Sequence, residues 1–337
     1  MLSTEKLLAA VQWAVKALRD GGLVAFPTET VYGLGADAEN PSAVTRIFAA
    51  KGRPADHPLI VHIASPEQIT HWAKDVPPAA WRLAGRYWPG PLTLILRRAC
   101  RVPDIVTGGQ DTVGLRVPDH PLALALLEAF GGGIAAPSAN RFGRVSPTTA
   151  AHVREELGDA MDLILDGGPC RVGIESTILD LSGHQPRLLR PGAITPAEIE
   201  AVLEQPIARP DNDAPRAPGM LRSHYAPQTP VYLVSTANLE AEAHRHLAQG
   251  RRVAVLSRAA PILPEARLWQ GMPTHPAGWA HELYARLRDL DVQCFDCILV
   301  EAPPAGVDWQ AVGDRLERAA SAQGTVLPNN RLMKNAY

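Results

Sequence analysis

The stretch Phe26-Pro27-Thr28-Glu29-Thr30-Val31-Tyr32-Gly33-Leu34-Gly35 decides the reading of this chain. It follows an apolar, strand-like run over residues 23–26. It is polar where an ordinary core would be apolar. It ends in two glycines that let the backbone turn or approach a ligand closely. Alone, it reads equally as a hairpin with a threonine-rich edge. Three later pieces give it meaning: Lys51-Gly52-Arg53, Ser138-Ala139-Asn140 and Glu175-Ser176-Thr177. Together they read as one pocket for a small molecule and a nucleotide.

Outward from that stretch, the periodicity predicts helices over 3–19, 41–50, 66–74, 78–87, 122–130, 148–157 and 196–203. Strands are predicted over 23–26, 59–63, 92–96, 112–117, 133–136, 163–165, 176–181 and 187–189. Asn40-Pro41 reads as a helix cap followed by a first-turn proline, and Gly52 as the stop. Strands and helices are mixed without strict alternation, which predicts a twisted, partly antiparallel α/β sheet. Proline, glycine and charge dominate residues 206–230, so this reads as a linker. Strands at 231–234, 253–256 and 295–300 then alternate with helices at 238–248, 278–290 and 309–320. That predicts a small parallel α/β domain. The domain reading is therefore 1–205, a linker 206–230, and 231–337.

The 337 residues are 46% hydrophobic and 20% charged, an ordinary globular composition. A formal net charge of -2 gives no global field to draw in nucleic acid, so any RNA contact needs a local patch. The 4 cysteines form no disulfide framework and suit a reducing, cytoplasmic setting. Residues 1–20 read as an amphipathic helix and not a signal peptide, and no apolar run approaches a membrane span.

Each candidate motif has an ordinary structural reading beside the functional one. Lys51 and Arg53, two residues apart in an extended segment, would point the same way and could grip a phosphate chain. They could also simply complement a helix C-terminus. Ser138 and Asn140 could meet a phosphate, ribose or base edge, or hold their own turn. His62 lies in an apolar strand, where a core histidine is the commoner outcome. Arg116 and Arg190 sit in apolar runs, and buried arginine needs a partner or an anion. They are the strongest hint of an anionic ligand. Cys294-Phe295-Asp296-Cys297 lacks the second pair a zinc site wants and the helix start a redox motif wants, so it reads as packing. No nucleophile elbow, dinucleotide fingerprint, phosphate-loop lysine motif or metal-ligand spacing is present.

Taken in order, these motifs resemble the YrdC family, the threonylcarbamoyl-AMP synthases, in the long form with an extra C-terminal domain. The family's K-x-R and S-x-N signature stands here as Lys51, Arg53, Ser138 and Asn140. Segments 27–34, 88–93, 136–140, 175–178 and 223–227 are similar as well. The resemblance implies a YrdC-like twisted mixed sheet with a concave cavity, followed by a smaller Rossmann-like parallel α/β domain. It implies that L-threonine, bicarbonate or CO2, and ATP become L-threonylcarbamoyladenylate and pyrophosphate. A partner transferase then acts on tRNA. By resemblance, Lys51 and Arg53 are catalytic and bind nucleotide. Thr112, Ser138, Asn140, Ser146, Arg190 and Tyr225 belong to the ATP side. Thr28, His62, Arg116, Ala136 and Ser176 belong to the threonine side. Magnesium is expected to arrive with ATP, with no dedicated protein metal site. The segment around Tyr225 is expected to fold back over the N-terminal cavity. The alternatives are a non-catalytic RNA-binding module on the same basic surface, with Arg141 and Arg144 contributing, and a carbamoyl-phosphate-using maturation enzyme. The latter would carry acylphosphatase and zinc-finger segments that this chain lacks.

Overall fold

The computed structural model describes residues 4–211, 213–221, 224–259 and 268–321. Two compact units are present, one of residues 1–142 and 146–220, the other of residues 143–145 and 221–337.

The first unit begins with α1 (Thr4–Arg19), β1 (Val24–Phe26), β2 (Gly33–Asp37), α2 (Pro41–Lys51) and β3 (Ile60–His62). It continues with α3 (Ile69–Trp72), α4 (Pro78–Tyr87), β4 (Leu92–Arg97), α5 (Asp104–Thr107), β5 (Thr112–Arg116) and α6 (Pro121–Phe130). It closes with β6 (Ile134–Ala135), α7 (Ala150–Leu157), β7 (Leu163–Ile164), β8 (Thr177–Asp180), β9 (Arg187–Arg190) and α8 (Pro196–Leu203). The nine strands form one mixed sheet in the order β7-β1-β2-β6-β3-β5-β4-β8-β9.

Alternation sorts side chains to the two faces of this sheet. Ala25, Val61, Leu94, Leu115 and Leu179 point into the main core. Val24, Phe26 and Ile134 point the other way, under α1 and α6, where Val15 and Leu18 meet Leu122 and Leu126. Further along this second face, Ile60, Ile95 and Ile178 are covered by Ala214, Ala217 and Met220. The proline-rich stretch is thus divided. Its first half is held against the first sheet by an Arg187–Ala208 bridge and by Gln110, which donates to the Arg216 carbonyl at 3.1 Å.

Gly33 and Gly35, read from the sequence as permitting a turn or a close approach, lie in a strand. β2 pairs antiparallel with β1, Gly33 opposite Phe26 and Gly35 opposite Val24. Glycine is needed there for close approach, because a Cβ on Gly35 would stand 2.7 Å from Ile134 Cγ2 and 2.8 Å from Phe26 Cε1. The period-two signal fails because small residues replace the apolar ones.

The second unit holds β10 (Val231–Val234), α9 (Leu239–Ala248), β11 (Val253–Ser257), β12 (Leu268–Gly271), α10 (Pro276–Asp291), β13 (Cys297–Glu301) and α11 (Gln310–Ser321). Its sheet is wholly parallel, in the order β10-β13-β11-β12. β12 is one strand more than the sequence predicts. Glu301 ties strand ends together: Thr236 Oγ1 and Arg258 Nη2 donate to its Oε1, and Ser257 Oγ and the Arg258 N–H donate to its Oε2. Cys297 is buried at the start of β13 and Cys294 is exposed. Arg222 and Ser223 of the expected 218–227 segment lie outside the described residues.

Candidate functional site

α2 delivers the first cation. Asn40 Oδ1 accepts from the Ser42 and Ala43 N–H groups at 3.1 and 3.2 Å, capping the helix ahead of Pro41. Gly52 ends it in the left-handed conformation at φ 60°. Lys51 is therefore the last helical residue and not part of an extended segment. The turn at Gly52 separates it from Arg53, whose charge it still feels.

Lys51 is buried, and its Nζ donates to the Ser138 carbonyl at 2.5 Å and to the Asn140 carbonyl. Burial, and then the charge of Arg53, hold its pKa well below the ordinary lysine range. Arg53 is buried too, with Nη2 donating to the Pro58 carbonyl at 2.9 Å and its guanidinium 5.9 Å from the Phe142 ring. Two buried cations that oppose each other's charge form a site whose electrostatics an anion improves.

The 137–140 loop is pinned to the opening stretch. The Leu34 N–H donates to the Pro137 carbonyl and the Ala139 N–H to the Tyr32 carbonyl, both at 2.8 Å. Gly33 and Ser138 form a bridge. Three segments far apart in sequence thus meet: the 26–35 stretch, the end of α2 and the S-x-N loop. Ser146 lies beyond that loop, fully buried, and donates to Glu175 Oε1 at 2.5 Å.

β3, β5, β4 and β8 carry the second cluster on one face. His62 stands opposite Arg116 in the β3–β5 register. Arg116 pairs with Glu29 at 2.7 Å, both side chains buried, and its Nε donates to the Gly90 carbonyl at 3.2 Å. That carbonyl belongs to the turn with the cis Trp88–Pro89 peptide. These contacts use Nε and Nη2 and leave Nη1. Glu29 Oε2 also accepts from the Asp119 N–H at 3.0 Å, fixing the chain beyond β5. Burial, then the Arg116 charge, push His62 down to about 3, so its imidazole is neutral at physiological pH. The ring stands edge-on to Phe26 at 5.8 Å. Ala136 closes β6, its N–H donating to the Ile60 carbonyl at 2.9 Å.

Thr28 keeps its hydroxyl within its own turn. Oγ1 lies 2.7 Å from the Val31 carbonyl it donates to, and it accepts from the Thr30 and Val31 N–H groups. Ser176 and Arg190 belong to opposite sides by resemblance, yet they touch. Arg190 Nη2 donates to Ser176 Oγ at 3.0 Å, and Nε donates to the Ser176 carbonyl at 2.9 Å. Thr112 opens β5, half-exposed and paired with Arg97. It lies about 13 Å along the strand from Arg116. Tyr225 lies in the second unit, buried and stacked on Tyr284 at 5.9 Å, with the Arg315 guanidinium 5.2 Å from its ring.

Glu29, Glu175, Gly90 and Thr93 enter the cluster without a role foreseen from sequence. The signal for Glu29 was present: a charged residue inside a stretch otherwise built of uncharged residues. Glu29 and Glu175 already serve Arg116 and Ser146. Among the described residues, no group of three or more His, Cys, Asp or Glu is placed to hold a metal ion.

A mixed sheet that carries buried Arg116 and His62 on one face, in the same unit as the buried Lys51 and Arg53, defines an α/β protein with a cluster of buried basic side chains. The Sua5/YciO/YrdC family, described as "Telomere recombination", matches residues 16–192. The family described as "Threonylcarbamoyl-AMP synthase, C-terminal domain" matches residues 194–321. A threonylcarbamoyl-AMP synthase of Pyrococcus abyssi is 42% identical, covering 92% of this chain and 94% of the relative. One of Bacillus subtilis is 44% identical, covering 92% of each. The crystal structure of P. abyssi Sua5 complexed with L-threonine superposes with a TM-score of 0.88 at 41% identity, covering 94% of this chain and 95% of that one. The chain belongs to the threonylcarbamoyl-AMP synthase family.

Proposed function

We propose that the chain is a nucleotidyltransferase that makes L-threonylcarbamoyladenylate from L-threonine, bicarbonate or CO2, and ATP. The observation that carries this reading is buried Lys51 clamped on the Ser138–Asn140 loop with the charge of Arg53 beside it, in the same unit as the Arg116 cluster.

The chemistry follows from charge. The threonine amine and bicarbonate give a carbamate and water. A carbamate oxygen attacks the α-phosphorus of ATP, the bond to the β-phosphate oxygen breaks, and pyrophosphate leaves. Two anions must meet, and Lys51 and Arg53 offset that repulsion and steady the leaving group. Arg116, held by Glu29 and Gly90, offers its remaining Nη1 edge to the threonine carboxylate. Neutral His62 adds no competing positive charge. Ser138, Asn140, Ser146, Thr112, Arg190 and Tyr225 fall on the nucleotide side. Thr28, Ala136 and Ser176 fall on the threonine side. Magnesium enters with the triphosphate, held by phosphate oxygens and water. The product passes to a transferase acting on tRNA in the cytoplasm.

Threonine-dependent release of pyrophosphate from ATP, with capture of the adenylate, tests this reading. Pyrophosphate release that ignores threonine and bicarbonate would sink it. The RNA-module alternative is not favoured: net charge is -2, and the relatives along nearly the whole chain are synthases.

A further inference from the structure

The hydrogen bonds around Ser176 can be counted, and Thr93 is the residue that completes them. Thr93 lies in β4, fully buried, with Oγ1 2.8 Å from Ser176 Oγ. It faces the same side of the sheet as Ile95, two residues on. Ser176 is also fully buried, immediately before β8. A hydroxyl has one proton to donate and two lone pairs to accept with. One lone pair of Ser176 Oγ receives Arg190 Nη2 at 3.0 Å, and a guanidinium can only donate. Thr93 and Ser176 then share one hydrogen bond between two hydroxyls, so the pair keeps one uncommitted proton.

Ser176 neighbours Glu175, which holds Ser146, whereas Thr93 sits mid-sheet between β5 and β8. From these contacts the geometry points to Thr93 as a positioning and specificity residue. It donates to Ser176, fills the second lone pair and makes Ser176 an obligate donor toward an oxygen acceptor on the amino-acid substrate. This rests on the proposed threonine function. The acceptor is the threonine β-oxygen. Of the two hydroxyls assigned to the threonine side, Thr28 already donates to the Val31 carbonyl. A group that can only donate, such as a β-ammonium, meets a Ser176 with no lone pair to offer. Two buried donors face to face leave both unpaired, the case in which hydrogen-bonding sites discriminate most strongly.

The test compares threonine with its analogue carrying a protonated β-amino group in place of the hydroxyl. The readout is kcat/KM for pyrophosphate release. Wild type should prefer threonine by about 100-fold or more. Thr93→Val opens a lone pair on Ser176 and should narrow that preference by about tenfold, whereas Thr93→Ser should retain it. Thr93→Ala serves as a second hydroxyl-free variant should valine pack badly. An unchanged preference in both hydroxyl-free variants, or a Thr93→Ser variant that behaves like them, overturns the assignment while leaving the threonine reading intact. Wild type that releases pyrophosphate without threonine overturns both.

Discussion

Lys51 illustrates how a residue acquires a role from its surroundings. An exposed lysine at a helix end would contribute a few tenths of a kcal/mol against the helix dipole. Buried against two carbonyls and beside Arg53, it instead has its pKa held well below the ordinary lysine range, so its charge depends on its partners and on any anion that joins them. Replacing Lys51 or Arg53 by alanine should lower adenylate formation about 100-fold or more while the fold persists. Pyrophosphate release, read beside circular dichroism, checks both halves. His62 gives a pH prediction. Its folded pKa is pushed down to about 3 by burial and by Arg116. Between pH 6.5 and that value the unfolded chain binds a proton that the folded protein refuses, so stability rises with pH across the window and is lost as pH falls. His57 and His120 shift in the same direction, by burial first. Urea midpoints from pH 4 to 7 should therefore climb, and His62→Gln should reduce but not abolish the slope. An unaltered slope would place the titration elsewhere.

At the scale of elements, α2 and β2 do most of the positioning. The N-cap and the left-handed stop set where α2 ends, and so where Lys51 stands. Asn40→Ala should cost about 1 kcal/mol, by loss of two capped N–H groups, without touching the site directly. A shift in chemical-denaturation midpoint with threonine KM unchanged is the expected pair of results. β2 works through smallness. Gly35→Val would drive a side chain into Phe26 and Ile134, and overpacking of this kind costs about 1–3 kcal/mol or more. Because the S-x-N loop hangs on Tyr32 and Leu34, that variant should lose nucleotide affinity together with stability, measurable by calorimetry. Valine there with both quantities intact would mean that the loop is held by other contacts.

At the scale of the molecule, charge and selectivity become visible. Net charge -2 leaves no long-range field to attract tRNA. Adding tRNA should therefore leave the rate of pyrophosphate release unchanged, and a tRNA-stimulated rate would revive the RNA-binding alternative. On the proposed function, substrate choice would draw on the whole threonine-side cluster. Serine keeps the hydroxyl but loses a methyl group, worth roughly 1–3 kcal/mol, and valine leaves Ser176 unpaired and should be worse. Comparable kcat/KM for valine and threonine would mean that the hydroxyl is not read.

The amino-acid sequence by itself determined the two α/β regions, the N-caps of α2 and α8 with the glycine stop at Gly52, and the ordered motifs that carry the family resemblance. Caps, prolines and apolar periods act over a few residues, so they are readable locally. It did not reveal β2 or β12. In β2 the strand is set by close approach of Phe26 and Ile134 to glycines, not by a period-two pattern. The proline-rich texture of residues 206–230 suggested a tether, and only the packing of Ala214, Ala217 and Met220 on Ile60, Ile95 and Ile178 showed part of it covering the first sheet. Likewise, the choice between a paired and an anion-binding Arg116 lay 87 positions away at Glu29, and the contact of Ser176 with Thr93 spans 83. Which buried charge meets which, and which hydroxyl keeps its proton, depends on strand register and loop pinning. Those are properties of the assembled sheet, and they were decided only when β3, β5, β4 and β8 came side by side.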